Sequence, residues 1–119
     1  ITVHVHLNDQ TRHIIDAKAI NKMKKNAILI NTSRGGLVDE RALLEALKSN
    51  KITGAGLDVI DGEWMPDVSM HPLVDYAKNN ENIIILPHIG GATIESILEA
   101  RIFIINKVAN YLKNLNYDS

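Results

Sequence analysis

The chain has 119 residues, 45% hydrophobic and 23% charged, with 13 Lys and Arg against 14 Asp and Glu and a formal net charge of −1. That length holds one modest domain with a real core, and so neutral a balance gives no electrostatic footprint for nucleic acid or an anionic membrane. No cysteine is present, which excludes disulfides and thiolate metal sites, and the longest apolar runs are far too short to span a bilayer. With no signal peptide in view, a cytoplasmic protein is expected.

Residues 1–7 alternate β-branched side chains with His4 and His6 and read as a strand. Because the chain opens inside that pattern, it is expected to be a piece of a longer polypeptide. A polar break at residues 8–11 is followed by Asp16, a natural N-cap for a short helix over residues 17–25 with Ile20 and Met23 facing inward. Lys22, Lys24 and Lys25 fall in its last turn, where the helix dipole favours cations and a solvated helix end explains them.

Ala27-Ile28-Leu29-Ile30 then reads as a short strand buried on both faces, and the rest of the chain is organised around it. It runs into Asn31-Thr32-Ser33-Arg34-Gly35-Gly36 and a helix over residues 39–49 opened by Asp39, with Glu40 near its amino end. Ala42, Leu43, Ala46 and Leu47 give that helix an apolar stripe. Residues 52–60 suggest a second strand, residues 61–72 a loop containing Trp64, Met65 and Pro66, and residues 73–78 a short helix. Residues 83–86 suggest a third buried strand, followed by Pro87-His88-Ile89-Gly90-Gly91. Thr93 caps a final helix running to about Leu115, with Ile94, Ile97, Leu98, Ile105, Val108, Leu112 and Leu115 on one face. Its turn Ile102-Phe103-Ile104-Ile105 is apolar on every side, so the helix is expected to be buried all round, against the sheet and a second body. The alternation of strands and helices predicts an α/β fold with a parallel sheet and helical crossovers.

The chemistry concentrates at three strand ends: Arg34, then Asp58 and Glu63, then His88. In a parallel sheet such ends share the carboxyl edge, where ligands bind, so groups far apart in sequence can converge. A guanidinium grips a carboxylate through two parallel hydrogen bonds, an imidazole moves a proton, and a carboxylate orients the imidazole. Each residue also has a plainer reading: Arg34 paired with a nearby acid, His88 bonded to local backbone, Glu63 merely exposed. The His4 and His6 pair, with His71 or His88, is also weighed as a metal site; two-residue histidine spacing without fitting carboxylates argues against it.

Three blocks carry a resemblance: Asn31-Thr32-Ser33-Arg34-Gly35-Gly36-Leu37-Val38-Asp39-Glu40; Gly54-Ala55-Gly56-Leu57-Asp58-Val59 with Glu63; and Pro87-His88-Ile89-Gly90-Gly91-Ala92-Thr93. In order and spacing they resemble the D-isomer-specific 2-hydroxyacid dehydrogenases, closest in wording to the phosphoglycerate dehydrogenase branch. The resemblance implies a Rossmann-like fold, with residues 1–92 as the second half of an NAD-binding domain and residues 93–119 as a helix returning toward a substrate domain. It implies Arg34 as the holder of a 2-oxo acid's carboxylate and carbonyl, His88 as the general acid/base and Glu63 as its paired acid. It implies Asp58 beside the nicotinamide, with Thr32, Ser33, Arg34, His88, Gly90 and Gly91 facing the cofactor, NAD. A small 2-hydroxy or 2-oxo acid is the implied substrate and a homodimer the implied assembly.

Departures from the family pattern are informative. Its glycine-rich dinucleotide fingerprint is absent, His6 stands where many relatives have proline, and Glu63 is followed by Trp64, with Pro66 displaced. Without the pyrophosphate site at a helix amino end, weak NAD binding and no turnover are expected of this chain alone. The alternative of another class is a non-catalytic NAD-sensing or assembly module that has kept the fold.

Overall fold

The structure, a computed structural model, describes residues 1–114, and Leu115, where the final helix is expected to end, lies just outside them. The chain divides into two compact units, Ile1–His88 and a second that opens at Ile89.

In the first unit, β1 (Thr2–Val3), α1 (Ala17–Lys22), β2 (Ile28–Asn31), α2 (Glu40–Lys48), β3 (Gly54–Leu57), α3 (Pro72–Ala77) and β4 (Ile83–Ile85) follow one another, with 3-10 turns at Gly35–Leu37 and Val68–Met70. Among the described residues the strands form one sheet in the order β1-β2-β3-β4, every pair parallel. The α/β class and the parallel sheet with helical crossovers stand as read from the sequence. Each helix starts where a side chain takes up a free backbone N–H: Asp16 accepts from Ala19, Asp39 from Ala42, and His71 from Leu73.

The register explains where the core sits. Leu29 lies opposite Ala55, which lies opposite Ile83, and all three are buried together with Ile20 of α1, Leu43 and Leu47 of α2 and Leu73 of α3. The neighbouring row runs Thr2, Ile30, Gly56, Ile84 across all four strands, and Ile30 and Ile84 are 37% and 64% exposed. This corrects the expectations that β2 is buried on both faces and that β4 is a buried strand. Strands that always step the same way, with crossovers of one hand, place every helix on one face. The opposite face therefore keeps its isoleucines half open.

Several elements are shorter than the sequence pattern suggests. The first strand covers two residues rather than residues 1–7, because only β2 pairs with it. α1 ends at Lys22, so Lys24 and Lys25 follow the helix, while Met23 caps it and is buried as expected. The strand expected over residues 52–60 pairs only at Gly54–Leu57, although Ile52, Val59 and Ile60 remain buried beside it.

In the second unit, α4 spans Ile94–Asn114 in the described chain, and Thr93 Oγ1 accepts from the Ser96 N–H at 3.1 Å. None of its described residues is buried, and Ile102, Phe103 and Ile104 are about half exposed or more. No helix among the described residues is long and apolar enough to cross a membrane.

Candidate functional site

β2 ends on Asn31, whose buried side chain shapes the loop after it. Its Nδ2 donates to the Arg34 carbonyl at 2.9 Å and its Oδ1 accepts from the Ser33 N–H at 3.1 Å, so one amide serves as both donor and acceptor. The Ser33 hydroxyl donates to the Val3 carbonyl at 2.7 Å and ties the loop to β1, while Thr32 is exposed between them. Arg34 is exposed, with Nη1 donating to the Ser33 carbonyl at 2.6 Å. Among the described residues it makes no ion pair, and it stands at the cap of the 3-10 turn Gly35–Leu37 without a side-chain capping bond. With His4, Val5, His6 and Ser33 it lines a groove of about 270 Å³.

The next strand end is joined to this loop through the backbone. Asp58 is buried, and its N–H donates to the Asn31 carbonyl at 2.9 Å. Beyond it the chain turns at residues 60–63, with Gly62 at φ +84° and the Ile60 N–H reaching Glu63 Oε2 at 3.4 Å. This turn presses on Gly35, where a Cβ would stand 2.1 Å from the Asp61 nitrogen and the Ile60 carbonyl carbon. Only glycine allows that approach, and it sets the residue after Arg34 against the turn that carries Glu63.

His88, at the end of β4, completes the group. Its Nδ1 lies 2.6 Å from Glu63 Oε1, with the two side chains 34% and 17% exposed. With Glu63 Oε1 accepting the hydrogen bond of Nδ1–H, the other ring nitrogen, Nε2, is left to face other partners. His88 holds a left-handed backbone at φ +56°, an uncommon conformation for a non-glycine residue and one that clusters at functional sites. The Trp64 ring lies 6.1 Å from the imidazole at 43°, and both line a hollow of about 590 Å³ with Glu63, Pro87 and apolar side chains of α3 and β4.

Among the described residues, no group of three or more His, Asp or Glu side chains could hold a metal ion. His4 bonds to the Thr2 hydroxyl at 2.7 Å, and His71 faces Glu40. Gly90 and Gly91 follow Ile89 in the second unit, where the Gly91 carbonyl accepts from the Ser96 hydroxyl at 2.6 Å.

Sequence reasoning missed two sets of supporting residues. Asn31 was legible only as part of a motif, and its double hydrogen bond appears once the loop is folded. Glu40 was read as a helix-dipole residue, yet its Oε1 accepts from the Asp61 N–H at 2.8 Å and its Oε2 lies 3.0 Å from His71 Nε2. Burial pushes the Glu40 carboxyl up from its ordinary value, while the Asp61 N–H and the His71 imidazole pull it back.

The donor set fits part of a dinucleotide. A buried carboxylate, small polar residues and a guanidinium at strand carboxyl ends suit its nicotinamide end. The helix amino ends do not suit its pyrophosphate: Asp16, Asp39, His71 and Thr93 each occupy the N–H groups of their own helix.

Comparison with known proteins gives the family of the chain. The model of the D-isomer specific 2-hydroxyacid dehydrogenase NAD-binding domain matches residues 1–90. The chain is 45% identical over 96 residues to a glyoxylate reductase of Thermofilum pendens, covering 81% of the chain and 26% of that protein. It is 43% identical over 113 residues to a D-3-phosphoglycerate dehydrogenase of Methanocaldococcus jannaschii, covering 95% of the chain and 20% of that protein. It therefore spans about a quarter or less of these relatives' length. The solved D-2-hydroxyisocaproate dehydrogenase aligns with a TM-score of 0.87 at 32% identity, over 100% of the chain and 38% of that structure. The NAD complex of a D-isomer specific 2-hydroxyacid dehydrogenase from Lactobacillus delbrueckii ssp. bulgaricus aligns with a TM-score of 0.82 at 32% identity, over 95% of the chain and 36% of that structure. The chain belongs to the D-isomer-specific 2-hydroxyacid dehydrogenases and carries sequence of their NAD-binding domain.

Proposed function

We propose that the chain supplies the carboxylate-binding and proton-transfer groups of an NAD-dependent D-2-hydroxyacid dehydrogenase. The observation that carries this reading is the 2.6 Å bond from Glu63 to His88, made on a turn packed against the residue that follows Arg34. Arg34 holds the carboxylate of a 2-oxo acid through its remaining N–H groups. His88 Nε2 gives a proton to the carbonyl oxygen during reduction and takes it back during oxidation, while Glu63 fixes the imidazole through Nδ1. Asp58, Thr32, Ser33, Gly90 and Gly91 form the cofactor side of the same proposal. Bound NAD(H) supplies the hydride chemistry. The reading extends to a cytoplasmic homodimer, supported for self-association by the exposed apolar residues of α4.

The test uses the full polypeptide bearing this sequence, given NADH with a panel of small 2-oxo acids, 3-phosphohydroxypyruvate among them. NADH oxidation is expected, falling by roughly 10²–10⁴-fold in His88→Ala. NADH binding without oxidation, or a rate indifferent to His88→Ala, supports the non-catalytic sensor instead. For the 119-residue chain alone, weak NADH binding without turnover is the expected result.

A further inference from the structure

A second histidine–carboxylate pair lies behind the first. His71 and Glu40 are nearly enclosed, with side chains 8% and 14% exposed and His71 Nε2 3.0 Å from Glu40 Oε2. The donors fix the protonation pattern. His71 Nδ1 accepts from the Leu73 N–H at 3.2 Å, and a nitrogen that accepts carries no proton, so the proton sits on Nε2. That Nε2–H faces both the Glu40 carboxylate and the Asp61 carbonyl, the latter at 3.2 Å. Glu40 Oε1 takes the Asp61 N–H at 2.8 Å. The pair thus grips both backbone polar groups of Asp61, two residues before Glu63, from α2 and from the start of α3. Arg12 holds only the exposed side chain of Asp61, at 2.9 Å.

We propose that Glu40 and His71 are positioning residues that clamp the peptide of Asp61 and thereby hold Glu63 in register with His88. The inference rests on the reading of Glu63 and His88 as the working pair. Glu40 opens α2 directly after the β2–α2 connection that carries Arg34 and Gly35, so one continuous segment braces the turn from two sides and couples the carboxylate-binding arginine to the proton-transfer pair. A carboxylate is needed because two donors converge on it. A glutamine offers one acceptor oxygen and leaves either the Asp61 N–H or the His71 Nε2–H without a partner.

The test needs neither NAD nor substrate, so its failure is distinct from failure of the enzyme reading. In the unaltered 119-residue chain, long-range proton–nitrogen spectra should show His71 as the neutral tautomer protonated at Nε2. A proton on His71 Nδ1 overturns the proposal whatever the variants do. Glu40→Gln and His71→Asn, the latter keeping a side-chain acceptor for the Leu73 N–H, are expected to speed amide exchange at Asp61 by at least about tenfold and to shift or broaden the low-field His88 Nδ1 proton. Arg12→Ala should leave that proton in place. An unchanged His88 resonance in both clamp variants, with the sheet amides intact, overturns the proposal.

Discussion

Gly35→Ala is the sharpest perturbation of the site. The new Cβ would stand 2.1 Å from the Asp61 nitrogen and the Ile60 carbonyl carbon, and 2.5 Å from the Ile60 oxygen. Non-bonded heavy atoms rest near 3.5–4.0 Å, so the turn must retreat by about 1 Å or more. The obstructing atoms are backbone, held by Glu40 and His71, and no rotamer change relieves them. Forcing atoms into a packed interior costs about 1–3 kcal/mol, and rigid backbone places this site at the upper end, near 3 kcal/mol. Urea unfolding followed by circular dichroism reads that loss directly. Gly91→Ala, where nothing lies within 4 Å of the added Cβ, is the control and should change stability by less than about 0.5 kcal/mol. In the full polypeptide, displacing Glu63 by about 1 Å should slow turnover on the order of a hundredfold. If Gly35→Ala matches the control in stability, the packing of the Arg34 loop on the Glu63 turn is refuted.

Asn31→Leu removes both partners that shape the Arg34 loop and leaves the Ser33 N–H and Arg34 carbonyl unmatched; a loss of about 1–3 kcal/mol in urea unfolding is expected. Asp39→Ala uncaps α2 at the Ala42 N–H, and denaturation should show a cost of about 1 kcal/mol. Glu40 gives a signed pH dependence. A folded carboxyl whose pKa is raised binds its proton more tightly than the unfolded chain does, so its contribution is most favourable at low pH and declines as pH rises from 4.5 into the raised range. Comparing denaturation of the unaltered chain and Glu40→Gln across that window should show the decline only in the former, and an equal slope in both refutes the assignment.

Much of this protein was written in its residue order. The caps Asp16, Asp39 and Thr93, the apolar stripe of α2 and the alternation of short strands with helices are local signals, each set by hydrogen bonds or spacing within a few residues. They were enough to place Arg34, Glu63 and His88 in the segments that follow three parallel strands. Tertiary structure alone decided which groups lean on which. That Gly35 meets the backbone of residues 60–61, that Asn31 braces the Arg34 loop and that Glu40 and His71 share Asp61 depend on contacts between residues far apart in sequence. The same dependence explains the misread strands: four isoleucine-rich residues look buried on both faces, but whether a face is covered depends on where the crossovers return, and these all return to one side.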